Sequence, residues 1–137
     1  MRFCLIDTGP IVALFDKSDQ YHEKAIKFIS SYKGSLITSL ATITETLYLL
    51  DFDQNAQIAF LKWVESGAIQ IEPINQEDFD SLISNFEKYA DRPIDFADGC
   101  LIIIAERLGI RDIATIDSDF EIYRLSKNRT FRIHVKS

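Results

Sequence analysis

Arg2-Phe3-Cys4-Leu5-Ile6-Asp7-Thr8-Gly9-Pro10 is the stretch whose reading decides the fold class. A short apolar run over residues 2–6 stops abruptly at an acid. Pro10 then suits the first turn of a helix, where its missing N–H costs nothing and its fixed φ is already helical. Strand, turn and helix follow one another, with Asp7 at the carboxyl end of the strand. The same order recurs downstream. Ser18 is expected to cap a helix carrying Tyr21, Ala25, Phe28, Ile29 and Tyr32 at helical spacing as far as Gly34. Residues 35–38 read as a second strand, and Ser39 caps a helix that runs through Ile43, Leu47 and Leu50 with Glu45 inside it. Asp53 caps a further helix through Ile58, Leu61, Trp63 and Val64 to Gly67, and residues 68–72 form a third strand closed by Pro73.

Asn75 is expected to cap a helix with Phe79, Leu82, Ile83, Phe86 and Tyr89 on one face, broken at Asp91-Arg92-Pro93. Asp95 starts a helix that is apolar nearly all round, as a deeply buried one should be, and Gly109 ends it. Residues 112–116 give a fourth strand that stops at Asp117, and residues 131–135 alternate as an edge strand. Strands alternating with helices over this length predict an α/β fold, a layered sandwich around a mainly parallel sheet. In such sheets the functional crevice lies beyond the carboxyl ends of the strands. Asp7 and Asp117 both stand there.

The chain has 137 residues, 47% of them hydrophobic, enough to bury a continuous core as one domain without disulfides. Cys4 and Cys100 sit in apolar runs with no second Cys or His at ligand spacing, so zinc and disulfides have no support. No signal peptide or membrane span is present at the N-terminus, and a cytoplasmic location with no membrane association is expected. The net charge of −6 argues against a surface that holds nucleic acid by bulk electrostatics. It does not exclude a nuclease, because a carboxylate cluster around divalent cations is itself acidic until the metal reverses the local field. Charge is also uneven: beyond Glu121 there is no acid, only Arg124, Lys127, Arg129, Arg132 and Lys136. A basic edge of this kind suits a polyanion and reads equally as a solvated tail.

Asp98 falls in the first turn before the very apolar run, so burying that run commits it to the interior or to a cleft wall. Helical spacing lets Asp95 cap the helix while Asp98 projects. Glu45 lies in a largely buried helix among Thr42, Ile43, Thr44 and Thr46. Carboxylates converging from separate elements raise each other's pKa unless cations compensate, so a divalent metal is the economical account. Hard oxygen ligands without His or thiolate favour Mg²⁺ or Mn²⁺. His22 and His134 are isolated, and neither is expected to be catalytic.

Asp7-Thr8-Gly9-Pro10 after the first strand, Thr44-Glu45 in the helix after the second, Asp95-Phe96-Ala97-Asp98 opening the apolar helix, and Thr115-Ile116-Asp117-Ser118-Asp119-Phe120 after the fourth strand together resemble the PIN-domain family. The resemblance covers nearly the whole chain in order and spacing. It implies a three-layer α/β/α sandwich with a central, mainly parallel sheet and metal-dependent RNA cleavage. In many bacterial and archaeal members it implies a VapC-type toxin held inactive by an antitoxin protein. Carried over by position, Asp7, Glu45, Asp98 and Asp117 resemble the catalytic, metal-binding acids, with Mg²⁺ or Mn²⁺ as cofactor and RNA as substrate. Thr8 and Thr115 are supporting candidates that steady carboxylates through their hydroxyls. Asp119 reads equally as an outer support and as the cap of a short helix, and Arg124 as a phosphate contact or a surface ion pair.

The aromatics Tyr21, Phe28, Tyr32, Tyr48, Phe52, Phe60 and Trp63 read first as core, and otherwise as a groove for a partner helix or a homodimer face. Three alternatives compete. A haloacid-dehalogenase-like phosphotransferase wants a second acid two positions after Asp7, where Gly9 stands. A receiver-like Mg²⁺-binding signalling domain wants an acidic pair near the first strand and a Lys after the last core strand, and neither is evident. A stand-alone RNA-processing nuclease of the same fold differs from a toxin only in lacking an antitoxin.

Overall fold

The computed structural model describes residues 2–92 and 94–136; Pro93, part of the expected helix break, lies outside them. Strand β1 (Phe3–Ile6) leads into helix α1 (Thr8–Phe15), then come α2 (His22–Ser31), β2 (Ser35–Thr38), α3 (Leu40–Leu49), α4 (Gln54–Glu65) and β3 (Ile69–Ile71). A 3₁₀ turn (Gln76–Asp78) opens α5 (Phe79–Lys88), followed by α6 (Phe96–Leu108) and β4 (Asp112–Ala114). A second 3₁₀ turn (Ser118–Glu121) precedes the small strands β5 (Arg124–Leu125) and β6 (Arg129–Thr130), and β7 (Arg132–His134) ends the series. Among the described residues no helix is long and apolar enough to cross a membrane.

Five strands form one sheet in the order β3-β2-β1-β4-β7, and every pairing in it is parallel. The expected edge strand is β7, aligned with β4 through Ile113 opposite Ile133. Strand alternation sends successive side chains to opposite faces. Leu5 of β1, Ile37 of β2 and Ile113 of β4 join α6 residues Leu101, Ile102 and Ile104 in one core. Cys4, Ile6, Leu36 and Ala114 join Ile11, Ile43 and Phe60 from α1, α3 and α4 in the other. The sheet is thus the middle of three layers. Each fully buried Leu or Ile on α6 contributes about 1.5–3 kcal/mol, which explains why that helix tolerates almost no polar residue along its middle. Gly109, left-handed at φ 66°, closes it. At Gly34 a Cβ would lie 2.5 Å from the Arg2 carbonyl, so only glycine lets the chain pass under β1 on its way into β2.

Capping places most helix starts where expected. Asp53 accepts from the backbone N–H groups of Asn55 and Ala56, and Ser39 from that of Thr42. The exception is α2. Ser18 does not cap it: its backbone N–H and its hydroxyl both donate to Asp16, Asp19 accepts from the Tyr21 N–H, and the helix starts only after Tyr21. These two aspartates build a turn that delays the helix to His22. The strand expected over 112–116 ends at Ala114, since Thr115 and Asp117 turn inward to the site.

The aromatics sort in both directions. Phe60 is fully buried and Trp63 packs edge-on against Phe15, whereas Tyr48 and Phe52 are 72% and 62% exposed. On α5 only Leu82 is buried, so the expected apolar face remains largely open at Phe79, Ile83 and Phe86.

Candidate active site

Three elements converge beyond the carboxyl ends of the central strands. Asp7 leaves β1 as the cap of α1, Asp98 sits in the first turn of α6, and Asp117 follows β4 as the cap of the 3₁₀ turn. Each offers a carboxylate oxygen within 4.8 Å of the other two. Parallel pairing of β1 with β4 sets Asp7 beside the end of its neighbour: the Asp7 N–H donates to the Ala114 carbonyl at 3.0 Å. Asp98 is directed inward by α6, whose cap Asp95 accepts from the Asp98 N–H at 2.8 Å.

Two hydroxyls hold the acids. Thr115 donates to Asp7 Oδ2 at 2.9 Å and accepts from the Asp117 N–H at 3.0 Å, so one side chain joins the ends of β1 and β4. Tyr123, itself fully buried, donates to Asp98 Oδ2 at 3.1 Å. That tyrosine carries no signal in the sequence, because its partner lies 25 residues away on α6. Thr8 donates its backbone N–H to Asp7 Oδ1, but its buried hydroxyl has no partner.

Burial, with the charges of Asp117 and Glu45 behind it, drives the Asp7 carboxyl from the ordinary 3.8 up to about 7, against the pull of Thr8 and Thr115. Burial followed by the charges of Asp7, Asp95 and Asp117 lifts Asp98 to about 8. Asp117, more exposed, is raised too, first by burial and then by Asp119 and Asp95. Burial and the Asp98 carboxylate push the Tyr123 phenol up as well, so it remains a donor. Such a cluster is an electrostatic liability until a cation enters it. Close carboxylate oxygens without imidazole or thiolate, acids held from ionising first by burial and then by one another, and a buried Thr8 hydroxyl without a partner together fit a hard divalent cation.

Other candidates fall around this centre. Glu45 lies half-buried on α3, outside the group of three but near enough for its charge to act on Asp7. Asp119 stands at the rim, 3.6 Å from Arg92, and its N–H is bound by Asp117; the cap of that turn is Asp117, not Asp119. Arg124 turns away, its guanidinium donating to the carbonyls of Glu121, Ile122 and Tyr123. Among the described residues it forms no ion pair, and its guanidinium closes the 3₁₀ turn that carries Tyr123. His22 bonds the Ala13 carbonyl and His134 bonds Asp112, both away from the acids.

Comparison with known proteins gives the chain its relatives. Ribonuclease VapC26 of Mycobacterium tuberculosis is 27% identical over 115 residues, covering 82% of this chain and 85% of the relative. The crystal structure of M. tuberculosis VapC20, titled a sarcin-ricin loop cleaving toxin, has the same fold, with a TM-score of 0.80 at 20% identity over 88% of this chain and 94% of that one. The PIN domain family matches residues 4–125, which contain every acid of the cluster, and the chain belongs to that family.

Proposed function

We propose that this protein is a divalent-metal-dependent endoribonuclease that hydrolyses RNA phosphodiester bonds, and the toxin of a toxin-antitoxin pair. The observation that carries the reading is the meeting of Asp7, Asp98 and Asp117 from three elements, with two of the carboxyls displaced upward to about 7 and 8. The ribonuclease and toxin names of the relatives support the substrate class. Asp7, Asp98 and Asp117 hold the cation and Glu45 completes the set from α3. When bound, Mg²⁺ or Mn²⁺ supplies charge that offsets the phosphodiester and makes water a better nucleophile.

The remaining work belongs to the chain. Thr115 fixes the Asp7 carboxylate through Oδ2, and Tyr123 fixes Asp98 the same way, so the acids are set before substrate arrives. Among the described residues no Ser, Cys or His is paired with an activating base at the cluster, so hydrolysis is expected to proceed without a covalent enzyme intermediate. The narrow crevice suits single-stranded or looped RNA.

Exposed apolar side chains support partners. Tyr48, Leu49 and Phe52 at the end of α3 form a face for an antitoxin segment, and Phe79, Ile83 and Phe86 on α5 form one for a second copy. A stand-alone nuclease would need neither. The test is cleavage of single-stranded RNA by the purified protein with Mg²⁺ or Mn²⁺, lost in EDTA and restored by either ion. Activity with zinc alone, or activity that persists in EDTA, overturns the assignment.

A further inference from the structure

Where the five cations of the basic tail go is decided by the fold. Arg124 is folded onto backbone carbonyls, Arg132 forms a two-point ion pair with Asp112, and Arg129 turns back to the Ser126 carbonyl. Lys127 sits on the turn between β5 and β6. Lys136 is different. It lies just past β7, at the same end of the sheet as the acids, and lines a small cleft with Thr115, Asp117 and Ser118. On its other side it lines a groove of about 360 Å³ against α2, whose remaining walls are Lys24, Lys27, Phe28, Ser31 and Val135.

That groove carries three lysines and no acid, on a chain whose net charge is −6. None of the three lysines forms an ion pair among the described residues, whereas Arg92, Arg107, Arg132 and His134 all do. Lys24 Nζ donates to the Lys136 carbonyl at 2.7 Å, which ties α2 to the segment after β7 across 112 residues of sequence. Between them Val135 adopts φ 61°, a left-handed conformation that a β-branched residue takes only when its surroundings impose it. The chain thus accepts backbone strain at the residue that turns Lys136 over the groove.

We propose that the groove between α2 and the end of β7 holds the phosphates of the RNA strand flanking the scissile bond, with Lys24, Lys27 and Lys136 as its phosphate contacts. Lys136 borders both the small cleft beside Asp117 and the groove, so a strand that passes Asp117 would meet Lys136 before α2. The inference rests on the ribonuclease reading above. It also explains how an acidic protein holds a polyanion: local cations bind the backbone while the acids await their metal.

Single-strand binding loses about 0.7 in the slope of log affinity against log salt for each phosphate contact removed, so three contacts amount to about 2. The test compares Lys24→Gln/Lys27→Gln/Lys136→Gln with Lys17→Gln/Lys33→Gln/Lys62→Gln, which removes the same charge from exposed lysines elsewhere. Binding of a fluorescein-labelled oligouridylate is read by anisotropy in EDTA across a salt series, so no cleavage is needed, and circular dichroism verifies that both variants fold. The groove variant is expected to lose about tenfold in affinity at moderate salt and to flatten the slope by about 2, with the second variant close to the parent. Equal losses in the two variants, or no loss in either, overturn the groove while leaving the nuclease reading intact. Absence of metal-dependent cleavage in the parent defeats the nuclease reading, and the anisotropy comparison still decides the groove.

Discussion

Replacing Asp98 by Asn should stabilise the metal-free protein, which is the reverse of what losing a buried, hydrogen-bonded side chain usually does. Asp98 is 5% exposed, and its carboxyl stands near 8 in the fold against 3.8 ordinarily. A raised acid binds its proton more tightly folded than unfolded. Its contribution is therefore fully present below about pH 4 and is lost as pH rises through about 8. At about 1.4 kcal/mol per tenfold, the gap from 3.8 to about 8 sets a ceiling of roughly 6 kcal/mol on that loss. Part of the repulsion comes from Asp7, which titrates near 7 and responds when Asp98 is neutralised, so about half of the ceiling is expected in practice.

Asn preserves the shape and can still accept from Tyr123. In EDTA the Asp98→Asn protein should thus melt roughly 4–10 °C above the parent at about pH 8 to 9, with the two curves converging toward about pH 4. Adding Mg²⁺ should narrow or invert the order, because ligand stabilises only the protein that still binds it. Melts followed by circular dichroism over that pH range, with EDTA and with Mg²⁺, make the comparison. A variant less stable than the parent at every pH in EDTA, by the 0.3–1 kcal/mol or so expected of a helix-terminus charge, would refute the clustered-acid account.

Tyr123→Phe removes the donor that favours the ionised Asp98, so divalent-cation affinity near neutral pH should fall about tenfold, read by Mn²⁺ titration with paramagnetic resonance. Thr115→Val leaves Asp7 Oδ2 and the Asp117 N–H without their shared partner; denaturant melts should show a loss of about 1–3 kcal/mol, and RNA cleavage should drop with it. Cys4 and Cys100, whose thiols burial pushes up to about 12 and about 11, should react with a disulfide reagent only on unfolding, so thiol release should track the denaturation curve and show no fast phase in native buffer.

What could be read from the sequence was what is local. An apolar run that stops at Asp7, a Ser39 or Asp53 just before a periodic segment, and a Gly109 just after one each announce themselves within a few residues, and the structure places those boundaries as expected. The acids Asp7, Asp98 and Asp117 were legible because each interrupts an apolar element that must be buried. What escaped depends on distance or on competition. Tyr123 is defined by a partner on another element, and Arg124 was claimed by three carbonyls that no spacing rule predicts. Ser18 is not a cap because the turn built on Asp16 and Asp19 postpones the helix to His22. The β5–β6 pair is two residues per strand and turns through Lys127 and Asn128 at positive φ, where glycine would have flagged it.

The sheet divides the interior into two apolar halves that scarcely share a residue, and the acids are drawn from both sides of that partition. Asp98 rides on α6, whose weight rests in one half, while Glu45 rides on α3 in the other, and Asp7 stands at the seam between them. A cation held by these acids would join elements of both halves. A protein built this way does not lose its site by fraying at one corner. Loosening of either half would pull the acids out of register, so cation binding at the cluster would report on whether both halves of the molecule are folded.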